Sequence, residues 1–120
     1  MKKSTSILDI NHVAKAFYYS IYGLKTIFQD EVAFKQELLL TIFIVPLGIY
    51  LGATPVAKAI LIGSWFLILI MESVNSAIEA IVDRISLERH PMSKKIKDIS
   101  SAAVLLAIIN AVMVWAIILT

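Results

Sequence analysis

The sequence contains no cysteine, only four glycines and three prolines, and few charged residues. Without cysteine the chain has no disulfide bond, no thiolate nucleophile and no cysteine-ligated zinc site. Four scattered glycines form neither of the common glycine-rich phosphate loops. Charged residues make up 17% of the chain and hydrophobic residues 59%, with a mean hydropathy of +0.85. These values lie outside the usual range of soluble globular domains and indicate a membrane protein.

Long uncharged runs predict three transmembrane helices within a single domain, residues 1–120. Residues 38–57, 59–71 and 99–120 contain no charge. At about 1.5 Å per residue the last run extends roughly 33 Å, enough to cross a hydrocarbon core of about 30 Å. We therefore predict membrane helices over residues 34–51, 55–85 and 96–119. No cleavable signal peptide is predicted, because Lys2 and Lys3 precede a polar stretch.

Residues 6–29 predict an amphipathic helix. Apolar residues recur with helical spacing at positions 10, 13, 17, 21, 24 and 28. Such a helix lies in the membrane interface, with its apolar stripe in the headgroup boundary or against the bundle, and a simple anchor would show the same pattern. The predicted fold class is an all-α membrane protein with three transmembrane helices and one interfacial helix.

The basic residues predict the orientation of these helices. With three spans, Lys58 alone lies on one side, and the other ten of the eleven Lys and Arg residues lie on the opposite side. The positive-inside rule then places the N-terminus and the loop 84–97 in the cytoplasm and the C-terminus outside.

A polar stripe begins near the end of the second span, in MESVNSAIEAIVDR, residues 71–84. At about 100° per residue, Asn75, Glu79 and Asp83 fall roughly 60° behind, 20° behind and 20° ahead of Glu72. If hydrocarbon begins near Val56, about twenty residues bring the helix to Asn75, so Glu72 lies roughly one turn inside the lipid. An ionised acid there is costly unless it is paired, solvated or protonated, which makes Glu72 a functional candidate.

Further charged residues lie at the same predicted depth in the membrane, near its cytoplasmic side. Glu31 and Glu37 flank the start of the first span, and Lys97 and Asp98 precede the third. A buried carboxyl group can serve as a general base, and acids nearer water suit Mg²⁺. Carboxylates for a metal and lysines for phosphate are the groups that phosphoryl transfer needs.

A structural interpretation of the same residues stays open. Glu79 and Asp83 could belong to an interfacial helix end with local ion pairs. Asn75 and Ser76 could supply interhelical hydrogen bonds, which small polar residues often do in membranes. The stretch SSAA, residues 100–103, fits a close-packing face better than a site.

The stretch ESVNSAIEAIVDRIS, with GLKTIFQDEVAFKQE before it and KIKDISSAAVLLA after it, closely resembles the prokaryotic integral-membrane diacylglycerol kinases. The resemblance covers about residues 14–119, and its motif E-x-x-N-S-A-I-E-x-x-V-D is specific. It implies a homotrimeric bundle in the bacterial cytoplasmic (inner) membrane, with sites shared between neighbouring subunits. The implied reaction moves the γ-phosphate of MgATP to a membrane lipid, with Mg²⁺ as cofactor. We expect no nucleic-acid partner.

Carried over by position, the resemblance implies that Glu72 is the catalytic base and that Glu31 and Glu79 bind the metal and the nucleotide. It also implies nucleotide binding by Ser20, Lys97 and Asp98, with Lys97 on phosphate. Other candidate site positions are Asn75, Asp83 and Glu37.

The identity of the acceptor lipid has two interpretations. The linker RHPMSKKIKD resembles the branch that phosphorylates undecaprenol, where His-Pro is usual, whereas NSAIEAIVDRI and SSAAV resemble the diacylglycerol branch. We favour diacylglycerol, which would give phosphatidic acid. His12 stands where some relatives carry an arginine near the nucleotide.

Outside the family, small multidrug transporters also depend on one intramembrane glutamate, but they have four spans with that acid in the first. A subunit that only packs into a larger complex is the remaining alternative.

Overall fold

The computed structural model describes Ile7 and residues 9–120. This part contains four helices and no strand: α1 (Ile10–Asp30), α2 (Val32–Leu51), α3 (Pro55–Ile85) and α4 (Pro91–Leu119). The helices α2, α3 and α4 are long and apolar enough to cross a membrane. The predicted all-α class with three candidate transmembrane helices is therefore confirmed. Lys2, Lys3 and the predicted start of the first helix near residue 6 lie outside the described residues.

Side-chain caps followed by proline set the starts of α3 and α4. The Thr54 hydroxyl accepts a hydrogen bond from the Ala57 N–H at 3.1 Å, and His90 Nδ1 accepts from the Met92 N–H at 3.0 Å. Proline follows each cap, where its missing N–H removes no helical bond. The His90 cap explains why α4 begins at Pro91, whereas the third span was predicted to begin near residue 96.

The tight turn between α2 and α3 depends on Gly52 and Lys58. The Lys58 ammonium donates to the carbonyl oxygens of Ile49, at 2.7 Å, and Gly52, and so caps the C-terminus of α2. A Cβ atom at position 52 would lie 2.8 Å from the Lys58 backbone nitrogen. Only glycine permits this approach of the two helix ends.

The helix α3 packs between α2 and α4. Two indole groups cross the interfaces: Trp65 Nε1 donates to Thr41 Oγ1 at 2.8 Å, and Trp115 Nε1 donates to the Leu61 carbonyl at 3.1 Å. Leu61 is the most buried residue, with 0% exposure. Lipid cannot satisfy these N–H groups, so their bonds fix how α2 and α4 sit against α3.

The apolar stripe of α1 is exposed over most of its length. Ile27, near its C-terminal end, packs with Phe34 of α2 and Leu69 of α3. Ile10 and Phe17, by contrast, are 81% and 69% exposed. This chain alone therefore leaves the face uncovered, and the placement of α1 in the membrane interface stays a prediction.

Candidate active site

Two acids meet at the interface of α2 and α3. Glu37 of α2 and Glu72 of α3 lie close enough for their charges to interact, and both residues are half-buried. Glu37 Oε2 is buried and has no hydrogen-bond partner in the described part of the chain. An ionised carboxylate in such surroundings is costly unless it is paired, solvated or protonated. The bundle therefore holds two neighbouring acids whose charge is costly there.

Glu31 lies at the single break between α1 and α2. Its backbone is extended, with φ −113° and ψ 112°, and its N–H donates to the Ile27 carbonyl at 2.9 Å. Its side chain points to α3, where the Ser76 hydroxyl donates to Glu31 Oε1 at 2.8 Å. The break thus directs an acid of the α1–α2 junction toward the polar stripe of α3.

Asn75 links the stripe to α4. Its amide nitrogen donates to Glu79 Oε1 at 3.2 Å on the same helix. Its amide oxygen accepts a hydrogen bond from the hydroxyl of Ser100, a buried residue of α4. Both polar ends of the Asn75 side chain are therefore satisfied, one within α3 and one across the interface.

Ion pairs occupy the exposed end of the site. Lys97 Nζ lies 2.8 Å from Asp83 Oδ1 and joins α4 to α3, whereas Asp98 pairs with Lys94 on its own helix. The Lys97 and Asp83 side chains are 40% and 49% exposed. Exposed pairs of this kind contribute about 0–1 kcal/mol to stability. The Lys97–Asp83 pair therefore adds little to the stability of the fold.

A groove of about 770 Å³ lies between α1 and α3. It brings together four of the predicted site residues, Ser20, Glu31, Glu79 and Asp83. The Ser20 hydroxyl donates to the Ala16 carbonyl at 2.9 Å on its own helix, and its oxygen keeps acceptor capacity. Three of these four residues are acids, so the groove suits a cation better than a bare anion.

The other predicted residues lie beside this groove. Lys97 and Asp98 line a second cleft of about 700 Å³ at the α3–α4 connection, with Arg89, His90 and Lys94. Glu37, Glu72 and Asn75 line neither space. The Lys97–Asp83 ion pair connects the acidic groove to this cleft, which Glu88 and Asp98 line together with the basic side chains. The arrangement therefore has an acidic groove, a cleft with charges of both signs, and two neighbouring acids between α2 and α3.

Comparison with known proteins connects this arrangement to a family. Residues 18–119 match the family described as prokaryotic diacylglycerol kinase. The chain belongs to this family. It is 44% identical over 107 residues to the diacylglycerol kinase of Escherichia coli K12, covering 89% of this chain and 88% of that protein. It is 39% identical over 115 residues to the diacylglycerol kinase of Haemophilus influenzae, covering 96% and 95%. The diacylglycerol kinase of Pseudomonas aeruginosa PAO1 is 42% identical over 110 residues, covering 92% and 89%.

Membership in the diacylglycerol kinase family confirms the resemblance stated from the sequence. It also argues against the multidrug-transporter alternative, as does the count of three candidate spans among the described residues. The roles of the individual site residues stay predictions.

The acids of the groove fit Mg²⁺ bound together with a nucleotide. Within residues 9–120 no group of three or more metal-ligating side chains is arranged to hold an ion. Glu31 and Glu79 each accept one hydrogen bond through Oε1, and Oε2 of each accepts none from the described residues. Mg²⁺ typically takes one or two carboxylates and completes its shell with water and phosphate oxygens. Glu31 and Glu79 line the same groove, and each keeps one carboxylate oxygen for an ion. They therefore match the one or two carboxylates that Mg²⁺ typically takes.

Two serines of the site have contacts that sequence reasoning described only in part. Ser76 was considered for interhelical hydrogen bonding, and it does bond Glu31 across helices. Ser100 was assigned to a packing face, and its bond to Asn75 was missed. Periodicity shows which residues of one helix share a side, but it does not show which residue of the next helix faces them.

Proposed function

We propose that this chain is a lipid kinase that transfers the γ-phosphate of MgATP to the hydroxyl of diacylglycerol, giving phosphatidic acid. One observation carries the proposal: three other acids lie near Glu72. Glu37, Glu31 and Glu79 are all near enough for their charges to act on it. Family membership supports the same conclusion.

The groove between α1 and α3 is the proposed nucleotide site. Glu31 and Glu79 would hold Mg²⁺ through their free Oε2 atoms, with Ser20 on the opposite wall. The ion supplies charge neutralisation for the phosphates when bound. Lys97 would leave Asp83 to contact phosphate, since their pair is exposed and costs little to break. Asp98 lines the cleft next to it.

Glu72 is the proposed base. It takes the proton of the lipid hydroxyl while that oxygen forms a bond to the γ-phosphorus. The bond between the γ-phosphorus and the β–γ bridging oxygen breaks, and ADP leaves. Glu37 would lie beside it, across the α2–α3 interface.

The spacing of Glu72 and Glu79 suits a reaction between a lipid and a water-soluble nucleotide. The hydroxyl of diacylglycerol lies at the glycerol level of the bilayer, whereas ATP stays in water. Seven residues of α3 separate the two acids, which is roughly 10 Å at about 1.5 Å per residue. A base in shallow lipid and a metal site above it would therefore lie on one helix.

We further propose that residues 1–120 form one domain of a homotrimer in the bacterial cytoplasmic membrane. The N-terminus and the α3–α4 connection would face the cytoplasm, and the C-terminus would lie outside. The exposed apolar stripe of α1 supports contact with lipid headgroups or a neighbouring bundle. The two-carboxylate metal site agrees with sites that neighbouring subunits complete.

Undecaprenol stays the alternative acceptor, although the His-Pro pair that favoured it has a structural explanation. His90 caps α4 and Pro91 occupies its first turn. The start of a helix is therefore a second reason for this dipeptide, beside the resemblance to the undecaprenol branch.

One assay tests the reaction and its acceptor together. Purified protein in mixed micelles is given MgATP labelled in the γ-phosphate, with diacylglycerol or undecaprenol in parallel and a lipid-free control. We expect label in phosphatidic acid, and much less in undecaprenyl phosphate. The reverse ratio would assign the chain to the other branch, and no labelled lipid in either reaction would refute the kinase proposal.

A further inference from the structure

Ser100 differs from the other buried serine in the direction of its hydrogen bond. Ser64 and Ser100 are the buried polar residues among those described, and each is 6% exposed. Ser64 Oγ donates to the Leu61 carbonyl of its own helix at 2.8 Å, which is the ordinary way a helical serine is satisfied. Ser100 instead donates across the α3–α4 interface to Asn75 Oδ1.

The bond from Ser100 fixes which way the Asn75 amide is turned. An ionised Glu79 only accepts hydrogen bonds, so the Asn75 NH₂ group must face it. Asn75 Oδ1 then points to α4, where the Ser100 hydroxyl is its donor. Without that hydroxyl the half-buried Oδ1 loses the donor that α4 supplies, and with it the hydrogen bond that opposes rotation of the amide.

We propose that Ser100 is a positioning residue for the cation site. Through Asn75 it holds Glu79 with Oε1 occupied by a hydrogen bond and Oε2 free to bind the cation that accompanies the nucleotide. Ser100 itself touches neither the cation nor a substrate. The inference rests on the proposed function for the identity of the ligand, MgATP, while the link from Ser100 through Asn75 to Glu79 rests on the structure alone.

The first test is the Mg²⁺ requirement of Ser100→Ala. We expect the Mg²⁺ concentration for half-maximal lipid phosphorylation to rise about 3- to 10-fold, with kcat at saturating Mg²⁺ nearly unchanged. Loss of a ligand's direct hydrogen-bond partner typically costs about 10- to 100-fold, and Ser100 is one bond further away. Ser100→Thr keeps the donor and should keep the wild-type requirement.

Ser64→Ala is the matched control. It removes the same atom at the same burial, but its hydrogen bond stays within α3 and does not reach the site. Its Mg²⁺ requirement should equal that of the wild type.

A second readout needs no activity. The chain has three asparagines, at positions 11, 75 and 110, so selective ¹⁵N-asparagine labelling gives three side-chain amide signals. Ser100→Ala should shift the Asn75 amide signal and speed its hydrogen exchange with solvent, whereas Ser64→Ala should leave it in place.

The outcomes separate this inference from the proposed function. A wild-type protein that phosphorylates no lipid would refute the function, and the amide signals would still test the link. An active wild type with an unchanged Mg²⁺ requirement in Ser100→Ala would overturn the inference, as would an unmoved Asn75 signal.

Discussion

Replacing Glu72 with glutamine removes the proposed base while keeping the shape of the side chain. A glutamine amide has nearly the same size and carries both a hydrogen-bond donor and an acceptor, so it can donate to the neighbouring Glu37. The change also removes a group whose charge is costly in lipid. Folding and assembly should therefore be retained or slightly improved.

The expected loss of rate is much larger than any effect on stability. A positioned general base contributes about 10²–10⁴ in rate, or roughly 2.7–5.4 kcal/mol of transition-state stabilisation. An interhelical hydrogen bond in a membrane is worth only about 0.6–2 kcal/mol, so any gained or lost hydrogen bond at this position is a smaller effect. Glu72 lines neither the groove between α1 and α3 nor the cleft at the α3–α4 connection. The KM for MgATP should therefore hardly change.

Initial rates at varied MgATP and diacylglycerol give kcat and both KM values, and size-exclusion chromatography in detergent reports assembly. Ser64→Ala, at a buried polar residue of the same helix that lines neither the groove nor the cleft, is the control and should behave like the wild type. Unchanged kcat in Glu72→Gln, or loss of activity only through failed assembly, would show that Glu72 is a structural residue.

Three further predictions concern the metal, the fold and the topology. Glu79→Gln should raise the Mg²⁺ concentration needed for activity and lower activity without dissociating the oligomer. A normal Mg²⁺ response would show that Glu79 does not bind the metal. Gly52→Ala should lower the unfolding free energy by about 1–3 kcal/mol, since its Cβ would lie 2.8 Å from the Lys58 nitrogen, and wild-type thermal stability would contradict the tight turn. Reporter fusions should place residues 1 and 90 in the cytoplasm and residue 120 outside, whereas a cytoplasmic residue 120 would exclude three crossings.

Much of the fold could be predicted because a membrane simplifies the problem. Uncharged runs long enough to cross hydrocarbon have few alternatives to helix, since lipid satisfies no backbone group. The helix ends were harder to predict. His90 extends α4 toward its N-terminus by a side-chain cap, and Lys58 caps the C-terminus of α2. Both effects depend on three-dimensional contacts that hydropathy does not contain.

The site was predictable along α3 and less so between helices. Glu72, Asn75, Glu79 and Asp83 were correctly expected to be related by helical periodicity, but each has a different neighbour. Glu72 contacts Glu37 of α2, and Asn75 contacts Ser100 of α4. Which neighbour a residue contacts depends on how the helices are rotated against each other, and that follows from packing over their whole length. No single stretch of the sequence specifies this rotation.

The central claim is that this chain moves phosphate from ATP to diacylglycerol with Glu72 as the base. The most direct measurement is the rate at which γ-labelled ATP gives labelled phosphatidic acid, with wild-type and Glu72→Gln proteins of equal assembly compared at saturating Mg²⁺. The account predicts rapid labelling by the wild type and a rate at least about 10²-fold lower in the variant. ATP consumption without labelled lipid, or equal labelling by both proteins, would contradict it.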